Sequence, residues 1–215
     1  MKVLLVDDHA VVRQGYASLL QLSFPDVLIE QAESGEEAVQ CVPIFKPHLV
    51  VMDISLPGIS GLEACRRLCQ RLPQLPVLFF SMHDELTLVR QALDAGAAGY
   101  ISKTVAPDVL IDAVRRLVTG HMYIEQSIAT QLACHRSLPG AIDPRLQSMT
   151  PREMEVFVML ARGVATQKIA QNLCISSKTV SNYMTLLKQK LQVTSQVELV
   201  HLAIDTGVLR IGEAS

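Results

Sequence analysis

The sequence of 215 residues lacks long apolar runs, CxxC motifs and internal repeats. A helix that spans a bilayer needs about 20 consecutive, mainly apolar residues, and no run here is that long. Asp7 and Asp8 come too early in the chain for a secretory signal peptide. We therefore expect a cytoplasmic protein without a membrane partner.

Cysteine is also scarce, and its five copies are an odd number scattered through the chain. Cys65 and Cys69 are four residues apart on a predicted helix, so they can face the same way. Two thiols alone do not make a zinc site, and no Cys/His cluster lies near them in sequence. Reduced cysteines in a cytosolic protein are the favoured interpretation.

The composition predicts a globular protein whose two parts have different charge. The chain is 49% hydrophobic and 19% charged, which is unlike a disordered protein, and its length suffices for two modest domains. Residues 1–144 hold 11 Lys and Arg against 16 Asp and Glu, whereas residues 145–215 hold 8 against 5. We expect different partners for the two parts, although a small positive excess does not by itself establish nucleic-acid binding.

The first 120 residues alternate strand-like and helix-like segments. Short apolar runs such as 3–6 and 49–52 are typical of strands that are buried on both faces. Five strands alternating with five helices predict a parallel, doubly wound α/β sheet. Pro43 should end or kink the second helix early. The expected strands are 3–6, 27–32, 49–52, 77–80 and 99–101, and the expected helices are 11–22, 35–45, 62–72, 85–95 and 107–118.

After residue 123 the strand signals stop. One more helix is expected at 125–134, and the two prolines and one glycine of 137–144 are typical of a linker. Thr150, Pro151 and Glu153 form a helix-start signal, with a cap, Pro at the first turn and Glu at the third position. The later part should be all-α, with helices at 150–162, 167–173, 177–191 and 195–205. The predicted organisation is a first domain at 1–122, a helical or flexible linker at 123–147 and a second domain at 148–215.

Polar residues stand at the carboxyl ends of four of the expected strands. Asp7 and Asp8 follow the first strand, Asp53 the third, Ser81 the fourth and Lys103 the fifth. Doubly wound sheets bind ligands beyond this edge. Three carboxylates there repel one another unless a hard divalent cation such as Mg²⁺ lies among them. An aspartate so placed can carry a phosphoryl group, with the cation and a lysine neutralising its charge.

Motifs around these residues resemble the receiver domain of response regulators, over residues 1 to about 120. They are Val6-Asp7-Asp8-His9, Val51-Met52-Asp53 with Leu56-Pro57-Gly58, Phe80-Ser81 and Ala97-Ala98-Gly99-Tyr100-Ile101-Ser102-Lys103. The resemblance implies a flavodoxin-like fold of five βα units with Asp53 as phosphoacceptor. It implies Asp8 as a direct Mg²⁺ ligand, Asp7 as a ligand mainly through water, and Asp53 and the Ser55 carbonyl as further ligands.

The resemblance also implies how phosphorylation changes the domain. Ser81 would supply the switch hydroxyl, Lys103 would bind the phosphoryl group, and Tyr100 would be an aromatic whose rotation follows Ser81. For Tyr100, an ordinary half-buried strand aromatic is the alternative. His9 and His83 are expected to be solvated loop side chains.

Residues 169–180 fit a helix-turn-helix. Ile169, Leu173 and Val180 are spaced to pack the two helices together, which frees the start of the second helix to enter a major groove. Short hydrogen-bonding side chains and cations suit base edges and phosphates. The positions expected to be exposed on that helix are Lys178, Ser181, Asn182, Thr185 and Lys188.

This second part resembles the LuxR-type DNA-binding domain over about 148–210. The motifs are Met149-Thr150-Pro151-Arg152-Glu153, Leu160-Ala161-x-Gly163, Lys168-Ile169-Ala170, Leu173-x-Ile175-Ser176 and Lys178-Thr179-Val180. Because the chain joins this domain to a receiver, it is identified as a member of the NarL/FixJ family. Within that family, residues 176–183 and 197–203 resemble the subgroup of GacA and UvrY.

The LuxR-type resemblance assigns contacts to double-stranded DNA. It implies that Ser181, Asn182 and Thr185 face base edges, and that Lys168, Thr179 and Lys188 contact phosphates. Positions 181 and 185 are often basic in relatives, and here they are Ser and Thr. The last helix is implied to form the homodimer contact on DNA.

We interpret the chain as a two-component response regulator and not as an enzyme. A sensor histidine kinase would phosphorylate Asp53, which would free a masked recognition helix and control dimerisation and sequence-specific DNA binding to regulate transcription. One alternative is a Mg²⁺-dependent phosphatase or other hydrolase with an aspartate nucleophile. Another alternative is a regulator in which Asp53 is present but is not phosphorylated. For the second domain alone, the alternative is a four-helix module that binds protein.

Overall fold

The computed structural model describes residues 1–136, 143–147, 149–173, 175–206 and 208–209. The chain divides into two compact units, Met1–His135 and Arg136–Ser215. Among the described residues, no helix has both the length and the apolar character needed to cross a membrane. Most of the predicted linker segment at 137–144, namely residues 137–142, lies outside the described residues.

The first unit is a parallel sheet between helices. Its strands are β1 (Lys2–Val6), β2 (Leu28–Ala32), β3 (Leu49–Met52), β4 (Val77–Ser81), β5 (Gly99–Ser102) and β6 (Tyr123–Ile124). Its helices are α1 (Ala10–Ser23), α2 (Gly35–Phe45), α3 (Gly61–Arg71), α4 (Leu86–Asp94), α5 (Pro107–Val118) and α6 (Gln126–Arg136). The strand order β2-β1-β3-β4-β5-β6 reverses direction at β1, which opens a crevice at the carboxyl ends of β1 and β3.

The central strands form the hydrophobic core of this unit. Every residue of β3, β4 and β5 is buried, as is most of β1, which confirms the interpretation of the apolar runs as strands buried on both faces. On one face, Leu5, Val51 and Phe80 pack with Leu20 of α1 and Leu117 of α5. This packing fixes the strand ends and therefore the residues that follow them.

Two features of the first unit differ from the sequence-based expectation. A sixth strand, β6, pairs with β5 inside the region predicted as linker; it is only two residues long, and backbone bonds such as Tyr123 N–H to the Ala98 carbonyl oxygen (3.1 Å) hold it. Such a short strand has no periodicity to detect. Of the two outcomes expected at Pro43, an early end of α2 is not found, since α2 continues to the predicted bound Phe45 before Lys46 closes it in the left-handed conformation (φ 52°).

The second unit is all-α where it is described. Its helices are α7 (Pro144–Gln147), α8 (Pro151–Ala161), α9 (Thr166–Asn172), α10 (Ser177–Leu191) and α11 (Gln196–Asp205). The predicted start signal of α8 is a complete capping box, in which the Thr150 side chain accepts from Glu153 N–H and the Glu153 carboxylate accepts from Thr150 N–H. Ser176 caps α10 through Thr179 N–H. The four longer helices share a buried core that includes Phe157, Ile169, Val180, Leu187, Leu191 and Leu199.

Candidate functional site

A lysine bridges two carboxylates at the carboxyl edge of the sheet. Lys103 Nζ lies 2.5 Å from Asp7 Oδ2 and 2.5 Å from Asp53 Oδ2, and all three side chains are at least nine-tenths buried. Burial opposes the ammonium charge, but Asp53 and Asp7 outweigh it and raise the pKa of Lys103. The ammonium is therefore held charged between two carboxylates that come from different strands.

The third carboxylate, Asp8, lies in the same crevice beside His9. Burial raises the pKa of Asp8; His9 opposes this rise, and the charges of Asp7 and Asp53 add to it. His9 Nδ1 is 2.7 Å from Asp8 Oδ1, and ligand atoms of Asp7, Asp8 and His9 lie within 4.8 Å of one another. Three carboxylates against one ammonium leave unbalanced negative charge, and carboxylate oxygens are the donors that Mg²⁺ prefers. The residues present fit a Mg²⁺ site.

The loop after β3 holds Asp53 in place. Ser55 N–H lies 3.4 Å from Asp53 Oδ1, and Gly61 N–H donates to the Ile54 carbonyl oxygen (2.9 Å). A Cβ at Gly61 would lie 1.9 Å from the Asp53 carbonyl oxygen, so only glycine allows α3 to start this close to the acid. No sequence pattern indicates this close approach, because it depends on two segments meeting.

Ser81 and Tyr100 lie on neighbouring strands and contact the same loop. Ser81 is fully buried, and its Oγ is 3.4 Å from the backbone nitrogen of His83. Tyr100 is also fully buried, not half-buried as in the alternative expectation, and its hydroxyl donates to the His83 carbonyl oxygen at 2.5 Å. Burial raises the pKa of Tyr100 well above its ordinary value, and the charges of Glu85, Asp53 and Asp84 add to the rise. The phenol therefore keeps its proton and remains a donor.

His83 is not the solvated side chain that the sequence predicted. Only 12% of its side chain is exposed, and Nδ1 is 3.4 Å from Glu85 Oε2. Its Nε2 is 3.1 Å from the Ser55 hydroxyl, so it links the loops after β3 and β4. The expectation was wrong because a loop position does not reveal that two loops meet. Arg13, which donates to the Asp7 carbonyl oxygen, was missed for the same reason.

In the second unit, α10 presents a polar surface near its N-terminus. Lys178, Ser181, Asn182 and Thr185 are exposed, whereas Lys188 is half-buried. The hydroxyls of Ser181 and Thr185 donate to backbone carbonyls one turn earlier, at 3.0 and 3.1 Å. Their oxygens can still accept hydrogen bonds, since a hydroxyl that donates keeps its lone pairs.

The two remaining predicted phosphate contacts lie near the starts of α9 and α10. Lys168 is exposed on α9, and Thr179 is half-buried with its hydroxyl 2.8 Å from the Ser176 hydroxyl. Elsewhere on α10, Lys190 pairs with Glu153 at 2.7 Å. That ion pair fastens α10 to α8, and the exposed residues of α10 remain uncovered within this unit.

Two family models match the chain and together cover most of it. Residues 3–115 match the response regulator receiver domain, and residues 147–203 match the luxR family of bacterial regulatory proteins. The transcriptional activator protein ExaE of Pseudomonas putida is 61% identical, covering 98% of this chain and 99% of ExaE. Response regulator GacA of Pseudomonas aeruginosa is 36% identical (97% and 98% covered), and UvrY of Escherichia coli is 35% identical (97% and 95% covered).

Solved structures of response regulators are similar to part or most of this chain. A LuxR-family two-component response regulator from Aurantimonas sp. has a TM-score of 0.61 at 33% identity, covering 64% of this chain and 98% of the other. The response regulator ChrA of a heme-sensing two-component system has a TM-score of 0.52 at 29% identity, covering 97% and 98%. The predicted fold class and family are confirmed. The chain belongs to the NarL/LuxR family of two-component response regulators, transcriptional regulators that join a receiver domain to a LuxR-type DNA-binding domain.

Proposed function

We propose that Asp53 accepts a phosphoryl group from a sensor histidine kinase, and that this modification controls dimerisation and sequence-specific DNA binding. One observation carries the proposal, namely the Lys103 ammonium placed 2.5 Å from the Asp53 and Asp7 carboxylates at the sheet edge. A cation in that position balances the charge of an acid that must receive an anion.

The chemistry follows from these neighbours. An Asp53 oxygen attacks phosphorus, the bond from phosphorus to the kinase histidine nitrogen breaks, and an acyl phosphate forms. Lys103 exchanges part of its contact with carboxylate for contact with a phosphoryl oxygen. Asp7, Asp8, Asp53 and the Ser55 carbonyl would hold Mg²⁺, which supplies the second positive charge.

The signal leaves the site through Ser81 and the loop that follows it. A phosphoryl oxygen draws the Ser81 hydroxyl toward Asp53, and the loop that carries His83 moves with it. Because Tyr100 donates to the His83 carbonyl oxygen, this movement changes the surroundings of a buried aromatic ring on β5. The population then shifts toward a form that dimerises and exposes α10.

On DNA, the α10 surface enters the major groove. Ser181, Asn182 and Thr185 read base edges, while Lys168, Thr179 and Lys188 contact phosphates. Lys178 is exposed beside them and contacts base edges or phosphates. Exposure of the first three and of the lysines at the helix starts supports this assignment. We place the receiver at 1–122, the connection at 123–147 and the DNA-binding domain at 148–215. The chain acts as a switch, not as an enzyme.

Phosphorylation is tested with Asp53→Asn. Wild type treated with acetyl phosphate and Mg²⁺ should gain one phosphoryl group by intact mass spectrometry and then sediment as a dimer. Asp53→Asn should do neither, whereas Asp26→Asn, which changes an exposed acid elsewhere in the first unit, should behave as wild type. Dimerisation and DNA binding that respond to the donor equally in Asp53→Asn would refute the proposal. Steady turnover of phosphate esters would instead favour the hydrolase alternative.

DNA recognition is tested by two substitutions on α10. Lys188→Ala should weaken binding to all sequences and reduce the slope of log affinity against log salt concentration by about one. Asn182→Ala should instead relax the sequence preference. Arg71→Ala removes the same charge from the first unit and is the matched control. If affinity and salt slope are the same in all three variants, the recognition surface is wrongly assigned.

A further inference from the structure

Two thiols outside the phosphorylation chemistry lie together on α3. Cys65 Sγ and Cys69 Sγ are 3.8 Å apart, one helical turn from each other. Cys65 is fully buried, whereas Cys69 is partly exposed. Both sulfurs also contact the turn after α4, with Cys65 Sγ 3.8 Å from the Ala95 carbonyl oxygen and Cys69 Sγ 3.4 Å from the Gly96 carbonyl oxygen.

The hydrogen bond between the thiols makes them chemically unequal. Either sulfur can donate in the contact between them, and when the Cys65 S–H is the donor the bond lowers the pKa of Cys69 against the opposing effect of its burial. The same bond, together with burial, raises the pKa of Cys65. Since the thiolate is the nucleophile, the accessible sulfur is the reactive one and the buried sulfur keeps its proton.

The other described cysteines lack this arrangement. Burial raises the pKa of Cys41, and the nearby Glu30 and Glu37 add to the rise. Cys134 is an exposed thiol on α6. Neither sulfur has a hydrogen bond from a second thiol among the residues that the structure describes. Cys41 and Cys134 therefore serve as internal references for the reactivity of Cys69.

We infer that Cys69 and Cys65 form a dithiol that reacts with hydroperoxides, in which Cys69 is oxidised first and Cys65 then closes a disulfide within α3. This site is independent of Asp53 and of the proposed phosphorylation.

The two steps balance. The Cys69 thiolate attacks the distal oxygen of a hydroperoxide, the O–O bond breaks, the alkoxide or hydroxide leaves and takes up a proton, and Cys69 becomes a sulfenic acid. Cys65 sulfur then attacks the Cys69 sulfur, the S–O bond breaks, and hydroxide leaves with the Cys65 proton as water. In total, two thiols and one hydroperoxide give one disulfide, one alcohol or water, and one further water.

Closing the bond must deform the end of α3. Residues four apart on a helix have Cβ atoms about 5–6 Å apart, whereas a disulfide holds them at about 3.5–4.5 Å. Cys69 lies in the last turn of α3, which ends at Arg71, so that turn has to tighten. The Cys69 sulfur then leaves the Gly96 carbonyl, and the oxidation changes the contact between α3 and the turn after α4.

The test is oxidation of the full chain with hydrogen peroxide, with and without dimedone, followed by peptide mass spectrometry. Wild type should lose two hydrogen atoms and yield a peptide with Cys65 joined to Cys69, and dithiothreitol should reverse this. Cys65→Ser should yield a dimedone adduct on Cys69, and Cys69→Ser should yield neither product. A variant with Cys41, Cys134 and Cys174 all changed to Ser should oxidise as wild type does.

The pH dependence of Cys69 oxidation shows whether Cys69 reacts because Cys65 lowers its pKa or only because it is exposed. Oxidation of Cys69 should have its midpoint below the ~8.5 of an ordinary thiol, and Cys65→Ala should move that midpoint upward because the donated hydrogen bond is gone. Circular dichroism verifies that both Cys65 variants are folded. Oxidation of Cys134 before Cys69 in wild type, a disulfide between other cysteines, or an unchanged midpoint in Cys65→Ala would each overturn the inference.

Discussion

Replacing Lys103 by methionine should destabilise the first unit by about 3 kcal/mol. The substitution leaves the Asp7 and Asp53 carboxylates buried without the ammonium that lies 2.5 Å from each. Removing one partner of a buried ion pair costs about 3–5 kcal/mol. The lower end applies because both acids lie at the sheet edge and keep a small exposed surface. Methionine keeps the length and most of the volume of the side chain, so loss of packing contributes little.

The pH window of this effect follows from the direction of the shift. Burial opposes the ammonium, but Asp53 and Asp7 outweigh it, so the pKa of Lys103 is raised in the folded chain. A raised pKa means that the contribution is complete below the unfolded value of about 10.4 and is lost only as the pH rises beyond it. The full difference between wild type and Lys103→Met should therefore be present at neutral pH.

Urea unfolding followed by far-ultraviolet circular dichroism measures this difference, since the chain has no tryptophan to report by fluorescence. With a slope of about 2 kcal/mol per M for a small domain, a loss of about 3 kcal/mol moves the midpoint down by about 1.5 M. Only the transition of the first unit should move. Lys46→Met, which removes an exposed ammonium from the same unit, should change stability by less than about 0.5 kcal/mol. Equal shifts in the two variants would refute the assigned role of Lys103.

Four further substitutions, one of them a control, test other parts of the first unit. Mg²⁺ at ten times its dissociation constant should raise the free energy of unfolding of wild type by about 1.4 kcal/mol, and Asp8→Asn should lose this gain in the same urea assay; an undiminished gain would contradict the metal assignment. Tyr100→Phe should cost about 1–2 kcal/mol because the phenol no longer donates to the His83 carbonyl oxygen. Since the pKa of Tyr100 is raised, this cost should be constant below about pH 10 and decrease only above it. A pH series of urea titrations measures the cost. Gly61→Ala should cost about 1–3 kcal/mol by thermal unfolding, because its Cβ would lie 1.9 Å from a backbone carbonyl oxygen. Gly15→Ala, with open space around its position on α1, should instead stabilise by about 0.5–1 kcal/mol, so a loss at both glycines would contradict the steric argument.

The polar residues at the strand ends were predictable because each of them directly follows its strand in the sequence. A fully apolar run followed at once by a carboxylate marks both a buried strand and its carboxyl end, so the sequence pattern alone places Asp7 and Asp53 at one edge of a parallel sheet. Lys103 follows β5 by the same logic. The parallel pairing of β1 with β3, of β3 with β4 and of β4 with β5 then brings these three residues together.

The contacts between loops were not predictable. His83 was expected in solvent, but its imidazole reaches Ser55 across the crevice and its carbonyl accepts from Tyr100. Neither contact follows from periodicity, because each joins segments that are far apart in sequence. The strand β6 was missed since two residues carry no alternation, and it forms only because β5 offers a free edge.

In the second unit, too, contacts between residues close in sequence were predictable and contacts between distant segments were not. Thr150 and Glu153 are three residues apart, so their capping box is a property of the local sequence. Glu153 and Lys190, which form an ion pair, are 37 residues apart, and only the packing of α10 against α8 brings them together.

By itself, the sequence determined the element types, the acids at the strand ends and the family, because these depend on local patterns and on motifs with fixed spacing. The tertiary structure decided the distances: the ammonium of Lys103 between two buried carboxylates, the buried phenol of Tyr100 on the His83 carbonyl, and the Cys69 thiol between Cys65 and Gly96. The physical reason is that charge balance, desolvation and hydrogen bonding act between atoms a few ångströms apart in space, whatever their separation along the chain.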